Sequence, residues 1–193
     1  MEGSMSAVPV TVANFTSAET DRMFSAFAVG AGGLNRFHHT RLPTPLDQQT
    51  VIRMNRDTLY SVAVVDLDGE PRLTIPDAGD RYLSVMVVNQ DHCINQVLRE
   101  PGVYTLRRDD FDIRYAAIAA RILVDPVDPT DVTAVNAIQD RFELSASTTS
   151  FDIPTTTRPA STPCAPRCWS WPSGPRPRRS ASDARKRSTR WSI

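Results

Sequence analysis

Lysine is almost absent from this sequence of 193 residues, because Lys186 is the only one and residues 1–153 contain none. Those first 153 residues carry 13 Arg against 21 acidic residues, a formal charge of −8. An acidic segment of this kind has no basic face that would attract a nucleic-acid backbone. We therefore expect no nucleic-acid partner.

Cysteines and long apolar runs are also scarce. Of three cysteines, only Cys93 lies outside the last forty or so residues, which argues against a disulfide framework. No stretch approaches the ~18 apolar residues of a membrane span. The N-terminus lacks the basic start and apolar run of a signal peptide. We expect a soluble, cytoplasmic protein with no membrane partner.

The C-terminal part of the sequence has little that could fill a core. Residues 162–193 contain no Leu, Val, Phe, Tyr or Met, and residues 154–193 have a formal charge of +8. A bias towards Pro, Ser, Thr and Arg is typical of disordered segments. The sequence thus predicts a flexible N-terminus at 1–16, a folded domain at 17–153 and a disordered tail at 154–193.

A shifted reading frame is a sharper explanation of this tail. In the frame that starts at the last base of each codon, Cys168-Trp169 must encode Leu and Trp171-Pro172 must encode Ala. In that frame, residues 155–171 can encode an amphipathic helix with an Asp-Pro entrance. We therefore expect that the gene carries a frameshift near codon 154 and that the protein is a truncated copy.

Short apolar segments separated by turn residues dominate residues 51–124. Strands at this spacing, joined by tight turns, indicate an antiparallel β-sandwich rather than alternating strands and helices. Asp68-Gly69 is a two-residue hairpin signal. The predicted strands are 51–54, 59–67, 72–75, 82–89, 94–98, 103–106 and 115–124. The last of them lies in 111–125, whose alanines also favour a helix, and the strand is preferred because the segment ends in the breaker DPVDP.

Two helices are predicted beside the strands. One spans 17–31, with Ser17 as its N-cap and a run of glycines at its end. The other spans about 131–142, is capped by Thr130 and has one apolar face. The expected fold is mainly β, an antiparallel β-sandwich with an N-terminal helix, one helix near 131–142 and a disordered C-terminal tail.

A family resemblance rests on the run VIRMNRDTLYS at 51–61 and on Asp66-Leu67. Pro76-Asp77 and Arg81-Tyr82 ahead of an apolar strand fit the same pattern. Over roughly residues 17–152 the sequence resembles the bacterial family catalogued as domain of unknown function 1254. The resemblance implies a β-sandwich domain normally followed by a second β-rich domain, number 1214 in that series, and it implies no established reaction.

The second β domain that the resemblance implies does not follow in this sequence. We expect it to be a missing partner of the sandwich. A face or edge of the sandwich that this domain would cover should be exposed. The protein is therefore expected to be poorly soluble or to self-associate.

The segment NRDTLYS at 55–61 places polar side chains at the start of a buried strand. If this segment lines a pocket for a small molecule, Arg53 or Arg56 would bind a carboxylate group of the ligand. Alternatively, the polar groups satisfy the backbone where the chain enters the sheet, and the tyrosine hydroxyl is hydrogen-bonded inside the packing. The candidate ligand-binding residues are Arg53, Asn55, Asp57, Thr58, Tyr60 and, from the next cluster, Asn89.

The segment NQDHCIN at 89–95 ends another strong strand. If its strand neighbours the first, Asp57, Asp91 and His92 could share a pocket, where a histidine beside an acid can act as a general base. Cys93 is not expected to pair with His92 as a nucleophile, since adjacent strand residues point to opposite faces, and it is expected to be a small buried residue. Asp57, Asp91 and His92 are therefore the catalytic candidates.

The adjacent histidines His38 and His39 suggest a metal site only weakly. Side chains of neighbouring extended residues diverge, and no third ligand lies at a recognisable spacing. We expect one histidine to face the core and the other to face water, with no metal and no cofactor. Three functions remain open: a module that binds a small ligand or a partner domain, a hydrolase-like enzyme, and a frameshifted remnant without activity.

Overall fold

A computed structural model describes residues 8–49, 52–111, 113–147 and 156–157 of the protein. The helices are α1 (Phe15–Ala31) and α2 (Pro129–Gln139). The strands are β1 (Val8–Pro9), β2 (His38–His39), β3 (Thr58–Asp66), β4 (Arg72–Ile75), β5 (Leu83–Asn89), β6 (Ile94–Leu98), β7 (Gly102–Thr105), β8 (Tyr115–Leu123), β9 (Glu143–Ser145) and β10 (Thr156–Thr157). Neither helix is long and apolar enough to cross a membrane, a statement that covers the described residues alone.

Two antiparallel sheets form the body of the protein, which confirms the predicted fold class. The larger sheet has the order β2-β3-β8-β5-β6, and the smaller has the order β7-β4-β9. All strand pairs within both sheets are antiparallel. A separate pair, β1 with β10, is parallel.

The main core lies on one side of the larger sheet, here called its inner face. Alternate side chains of β3, β8 and β5 point to this face, because successive strand residues alternate between faces. The core also contains Leu73 of β4 and Val135 of α2, so the smaller sheet and α2 cover the inner face. The strand residues in this core include Leu59, Ala63, Val65, Leu83, Val85, Val87, Ala116, Ile118, Ala120 and Ile122.

Helix α1 packs on the opposite, outer face of the larger sheet. Phe24 and Ala28 of α1 contact Val64, Tyr115 and Ala117 in a second, smaller core. The contacting strand residues lie at the end of β3 and the beginning of β8, so α1 seals only one end of this face. The other end is left to the segments that approach β2 and β3.

The helix positions were predicted well and their caps were not. The first helix begins at Phe15, with Asn14 at the N-cap position, so the prediction of Ser17 as the cap is wrong. Gly32 ends that helix in the left-handed conformation, with φ of 75°. In the second helix, Asp128 accepts a hydrogen bond from the backbone N–H of Thr130 and is the cap, so the prediction of Thr130 as the cap is wrong. Pro129 at the first helical position has no N–H that would need an acceptor.

Two local strand predictions are also wrong. Residues 52–54 form a turn and irregular backbone, and Val51 lies outside the described residues. Asp68-Gly69 does not make a hairpin, since β4 pairs with β7 and β9 in the other sheet. A short turn at Leu67–Gly69 and a left-handed Glu70, with φ of 43°, carry the chain from one sheet to the other. Of the predicted flexible N-terminus, residues 1–7 lie outside the described residues, whereas residues 8–16 contain β1 and the start of α1. The predicted disordered tail lies outside the described residues except at β10.

Candidate functional site

A cavity of about 540 Å³ opens at the end of the outer face that α1 does not seal. Thr58, Tyr60 and Val62 form its floor, since these alternate residues of β3 point to the outer face. The walls come from α1, from β2 and the segment after it, and from the segment before β3. The lining residues are Ala26, Phe27, Gly30, His38, Thr40, Leu42, Pro43, Thr44, Met54, Asn55, Thr58, Leu59, Tyr60 and Val62.

Three polar side chains meet at one side of this cavity. The Asn55 amide donates to the Thr58 Oγ1 at 2.8 Å and to the Tyr60 hydroxyl oxygen at 2.9 Å. The Asn55 Oδ1 accepts from the backbone N–H of Asp57 at 2.9 Å. Asn55 therefore both fixes the turn before β3 and holds the two hydroxyl groups in place.

Close packing between α1 and β2 forms another wall of the cavity. A Cβ atom at Gly30 would lie 3.7 Å from the nearest atom of the His38 ring. The absence of a side chain at this position therefore leaves space beside the imidazole. Sequence reasoning missed Gly30 and His38 as site residues, because the glycine suggested only a helix end.

The lining of the cavity contains no Asp, Glu, Lys or Arg among the described residues. Most of its side chains are apolar, and the polar ones are hydroxyl, amide and imidazole groups. A charged ligand would lose its hydration here without gaining a countercharge, which is costly. The site is therefore suited to uncharged molecules.

The opposite side of the same strand carries a second polar cluster. The His39 Nδ1 lies 2.7 Å from the Ser61 Oγ, and the Gln139 side-chain amide donates to that oxygen at 3.2 Å. Burial and the nearby Arg41 guanidinium lower the pKa of His39, although Asp140 opposes the shift. Ser61 is fully buried, so this serine–histidine pair has no access for a substrate and ties α2 to the sheet.

The two histidines diverge as expected. His38 is exposed at the cavity, whereas His39 is half-buried against Ser61. Among the described residues, no group of three or more His, Cys, Asp or Glu could hold a metal ion.

The second predicted cluster forms a tight turn at the end of β5. The Asn89 Oδ1 accepts from the backbone N–H groups of Asp91 and Cys93, at 3.1 and 3.0 Å. His92 has a left-handed φ of 62°, and its Nδ1 lies 3.1 Å from the Thr20 hydroxyl of α1. Cys93 is exposed, so the expectation that it is buried is wrong.

Two acidic side chains, Asp91 of the turn and Asp21 of α1, accept hydrogen bonds that join the turn to α1. Ser17 donates to the Asp91 carboxylate, and the Gln90 amide donates to Asp21 at 2.8 Å. Burial raises the pKa of Asp21, partly countered by the Gln90 hydrogen bond and assisted by Asp91. His92 also lines a small cavity of about 220 Å³ with residues of the N-terminal half of α1.

The two predicted clusters do not meet. Strands β3 and β5 both pair with β8, which lies between them. Asn89 is opposite Ala116, and Ala116 is opposite Val65, near the far end of β3 from Thr58. Seven residues of strand separate these positions, roughly 23 Å at 3.3 Å per residue. The structure thus places Asp57 at one end of the sheet and Asp91 and His92 at the other.

The remaining predicted site residues lie around the entrance to β3. Arg53 is exposed, with a left-handed φ of 58°. Asp57 is exposed, and its carbonyl oxygen accepts from the backbone N–H of Val124. The Arg56 Nε is buried and has no hydrogen-bond partner among the described residues. None of these three side chains lines the cavity. Ligand binding by any of the six predicted residues stays a prediction.

The fold and the cavity define a class: a two-sheet β domain with one helix on its outer face. Residues 34–146 match the model of the family described as "Protein of unknown function (DUF1254)". This is more than half of the chain, and the protein belongs to that family. No curated protein matches the chain.

One similar solved structure is the crystal structure of the VPA0106 protein from Vibrio parahaemolyticus. The TM-score is 0.55 at 16% sequence identity, and the similarity covers 75% of this chain and 41% of that chain. At this identity the likeness establishes the fold alone. The present chain spans less than half the length of that protein.

Proposed function

We propose that this protein is a binding module that holds a small, uncharged and mostly apolar ligand in the outer-face cavity. The observation that carries the proposal is the cavity itself. Its volume of about 540 Å³ lies within the range of small-molecule sites, which are typically apolar with a few polar groups that orient the ligand. Asn55, Thr58 and Tyr60 are the orienting groups here.

The hydrolase-like alternative has less support. It required Asp57, Asp91 and His92 in one pocket, and these residues lie at opposite ends of the sheet. A general base must reach the proton that it removes within about 3 Å, or through one water. The binding function needs no such convergence.

A cavity-filling substitution tests the proposal. Ala26 is exposed and lines the cavity, so Ala26→Trp should fill the space without disturbing the core. Val29 lies on the same helix, is 82% exposed and does not line the cavity, which makes Val29→Trp the matched control. The neutral fluorescent probe N-phenyl-1-naphthylamine reports occupancy.

We expect saturable one-to-one binding of the probe to the wild type and to Val29→Trp. Ala26→Trp should weaken that binding about tenfold or more, a loss of at least ~1.4 kcal/mol. Equal binding by Ala26→Trp and the wild type, or binding that never saturates, would contradict the proposal. Circular dichroism of each variant shows whether it is folded.

The predicted frameshift is a separate part of the proposal. We propose that the codons from about residue 154 onwards are read out of frame, and that the protein is a truncated copy whose restored frame would encode a second β-rich domain of the 1214 series. The change in formal charge from −8 to +8 near residue 154 and the amphipathic helix in the alternative frame support it. Sequencing of the gene and transcript around codons 150–158 tests it, and an uninterrupted in-frame sequence in independent isolates would refute it.

The part of the outer face beyond α1 is the surface that we propose for this partner domain. Tyr82, Val97 and Leu123 point to this face and are 43%, 53% and 45% exposed. An apolar surface of this kind favours association. Sedimentation of two proteins, the frame-restored one and the 193-residue one, tests this assignment. We expect the frame-restored protein to be a monomer and the 193-residue protein to self-associate. Monomers in both cases would contradict this assignment.

A further inference from the structure

The orientation of the Asn55 amide determines how the cavity can recognise a ligand. An amide oxygen and nitrogen are distinguished by their hydrogen-bond partners. The backbone N–H of Asp57 is a donor and lies 2.9 Å from one end of the amide, so that end is the oxygen. The NH₂ group consequently faces the other two partners, Thr58 and Tyr60.

Both hydroxyl groups therefore act as acceptors towards Asn55. The amide nitrogen lies 2.8 Å from Thr58 Oγ1 and 2.9 Å from the Tyr60 hydroxyl oxygen, and it has no lone pair to accept with. Each hydroxyl keeps its own proton for another bond. Within the described part of the chain, neither the Thr58 hydroxyl nor the Tyr60 hydroxyl donates a hydrogen bond to an acceptor. Thr58 and Tyr60 are two residues apart on β3, so both point to the cavity.

We propose that Thr58 and Tyr60 form a pair of donors, polarised by Asn55, that recognises a carbonyl oxygen on an otherwise apolar ligand. This inference rests on the proposed binding function and adds its substrate class: neutral ketones, esters or amides with an apolar body. An ammonium group would find no carboxylate in the described lining, and a carboxylate would find no cation. A carbonyl oxygen accepts two hydrogen bonds, which matches the two available protons.

Benzophenone and diphenylmethane make a matched test, because they share two phenyl rings and differ by a carbonyl group in place of CH₂. Their affinities are measured by displacement of N-phenyl-1-naphthylamine. Each donated hydrogen bond should favour benzophenone by about two- to twelvefold. We therefore expect the wild type to bind benzophenone at least about fivefold more tightly than diphenylmethane, from two such bonds.

Three variants test whether a preference for benzophenone comes from the two hydroxyl donors or only from the way its shape fits the cavity. Tyr60→Phe and Thr58→Val each remove one hydroxyl at nearly constant volume, and each should remove part of the preference for benzophenone. Asn55→Asp should abolish the preference although both hydroxyls remain, because a carboxylate accepts both protons and turns them away from the ligand. Thr105→Val is the control, since Thr105 is exposed on β7 of the smaller sheet and does not line the cavity, so removal of its hydroxyl should leave the preference unchanged.

The outcomes distinguish the two proposals. If the wild type binds both compounds equally, or if the preference survives in Asn55→Asp and in the Tyr60→Phe Thr58→Val double variant, the donor-pair assignment is overturned and the cavity remains a binding site. If the probe binds but benzophenone fails to displace it, the donor pair is again refuted. If the probe itself does not bind in the cavity, the proposed function fails and the donor pair fails with it.

Discussion

The two faces of the larger sheet differ in how completely they are covered. The inner face lies beneath the smaller sheet and α2, and its strand residues are almost completely inaccessible. The outer face packs against α1 near Val64, Tyr115 and Ala117, and other residues of this face form the cavity floor or, as at Val97 and Leu123, are exposed. We therefore expect the inner face to contribute most of the folding stability and the outer face to bind the ligand.

The largest expected effect comes from Ile118 on the inner face, which is fully buried. Ile118→Ala should lower the free energy of unfolding by about 2–5 kcal/mol, because it removes buried methyl groups and leaves a void. Val62→Ala on the outer face should cost about 1 kcal/mol or less, since Val62 is only half-buried, yet it should change probe affinity. Urea denaturation and probe titration of both variants measure the difference. Equal losses of stability would remove the distinction between the faces.

The strand pattern shows which part of this contrast was visible in the sequence. β3 alternates in a regular way, so its position and its two faces follow from local residues. The strands with which β4 pairs do not follow from local residues, because the left-handed Glu70 and the short turn at Leu67–Gly69 carry the chain to another sheet. Local turn signals describe two or three residues, whereas the sheet that a strand joins depends on where both of its faces can be buried.

The candidate site was predictable only in part for a similar reason. Asn55, Thr58 and Tyr60 lie close in sequence and were recognised as one polar group. Gly30 and His38 reach the same cavity from α1 and β2, and no local pattern connects them to it. The expected meeting of Asp57 with His92 failed because β8 lies between their strands, a fact about strand order that a single sequence does not contain.

The next largest effect is expected at the far end of the sheet. Asn89 is 6% exposed, and its Oδ1 satisfies two backbone N–H groups in the turn that holds His92. Asn89→Ala should lower the free energy of unfolding by about 1–2 kcal/mol, because it leaves two part-buried backbone N–H groups without their acceptor. Thermal denaturation measures this loss.

Probe binding by Asn89→Ala separates a role in the turn from a role in the ligand site. Since Asn89 lies at the opposite end of the sheet from Thr58, the folded variant should bind the probe as the wild type does. Asn89→Asp retains the acceptor atom and should recover part of the stability. A folded Asn89→Ala protein that no longer binds the probe would support the prediction of Asn89 as a ligand-binding residue and would weaken the contrast between the two ends.

The smallest expected effect is a pH dependence at the edge of the larger sheet. The Gln139 amide donates to the Ser61 oxygen, so the Ser61 hydroxyl can donate its own proton to the His39 Nδ1. This arrangement favours the neutral form of His39, and burial lowers its pKa from the ordinary 6.5. The unfolded chain then binds a proton more readily than the folded one, so this contribution to stability is complete above pH 6.5 and is lost as the pH falls towards the lowered pKa.

Urea denaturation of the wild type and His39→Gln between pH 7.5 and 5 tests this sign. The wild type should lose more stability over that interval than His39→Gln, because only the wild type must keep a half-buried imidazole unprotonated. The effect is small since the imidazole is partly hydrated and Asp140 opposes the shift. His38→Gln, at the exposed neighbour, should retain the wild-type loss because His39 and its bond to Ser61 are intact. If His39→Gln instead loses more stability than the wild type on acidification, a protonated His39 stabilises the fold. The edge strand β2 would then be held by a charged interaction rather than by a neutral hydrogen bond.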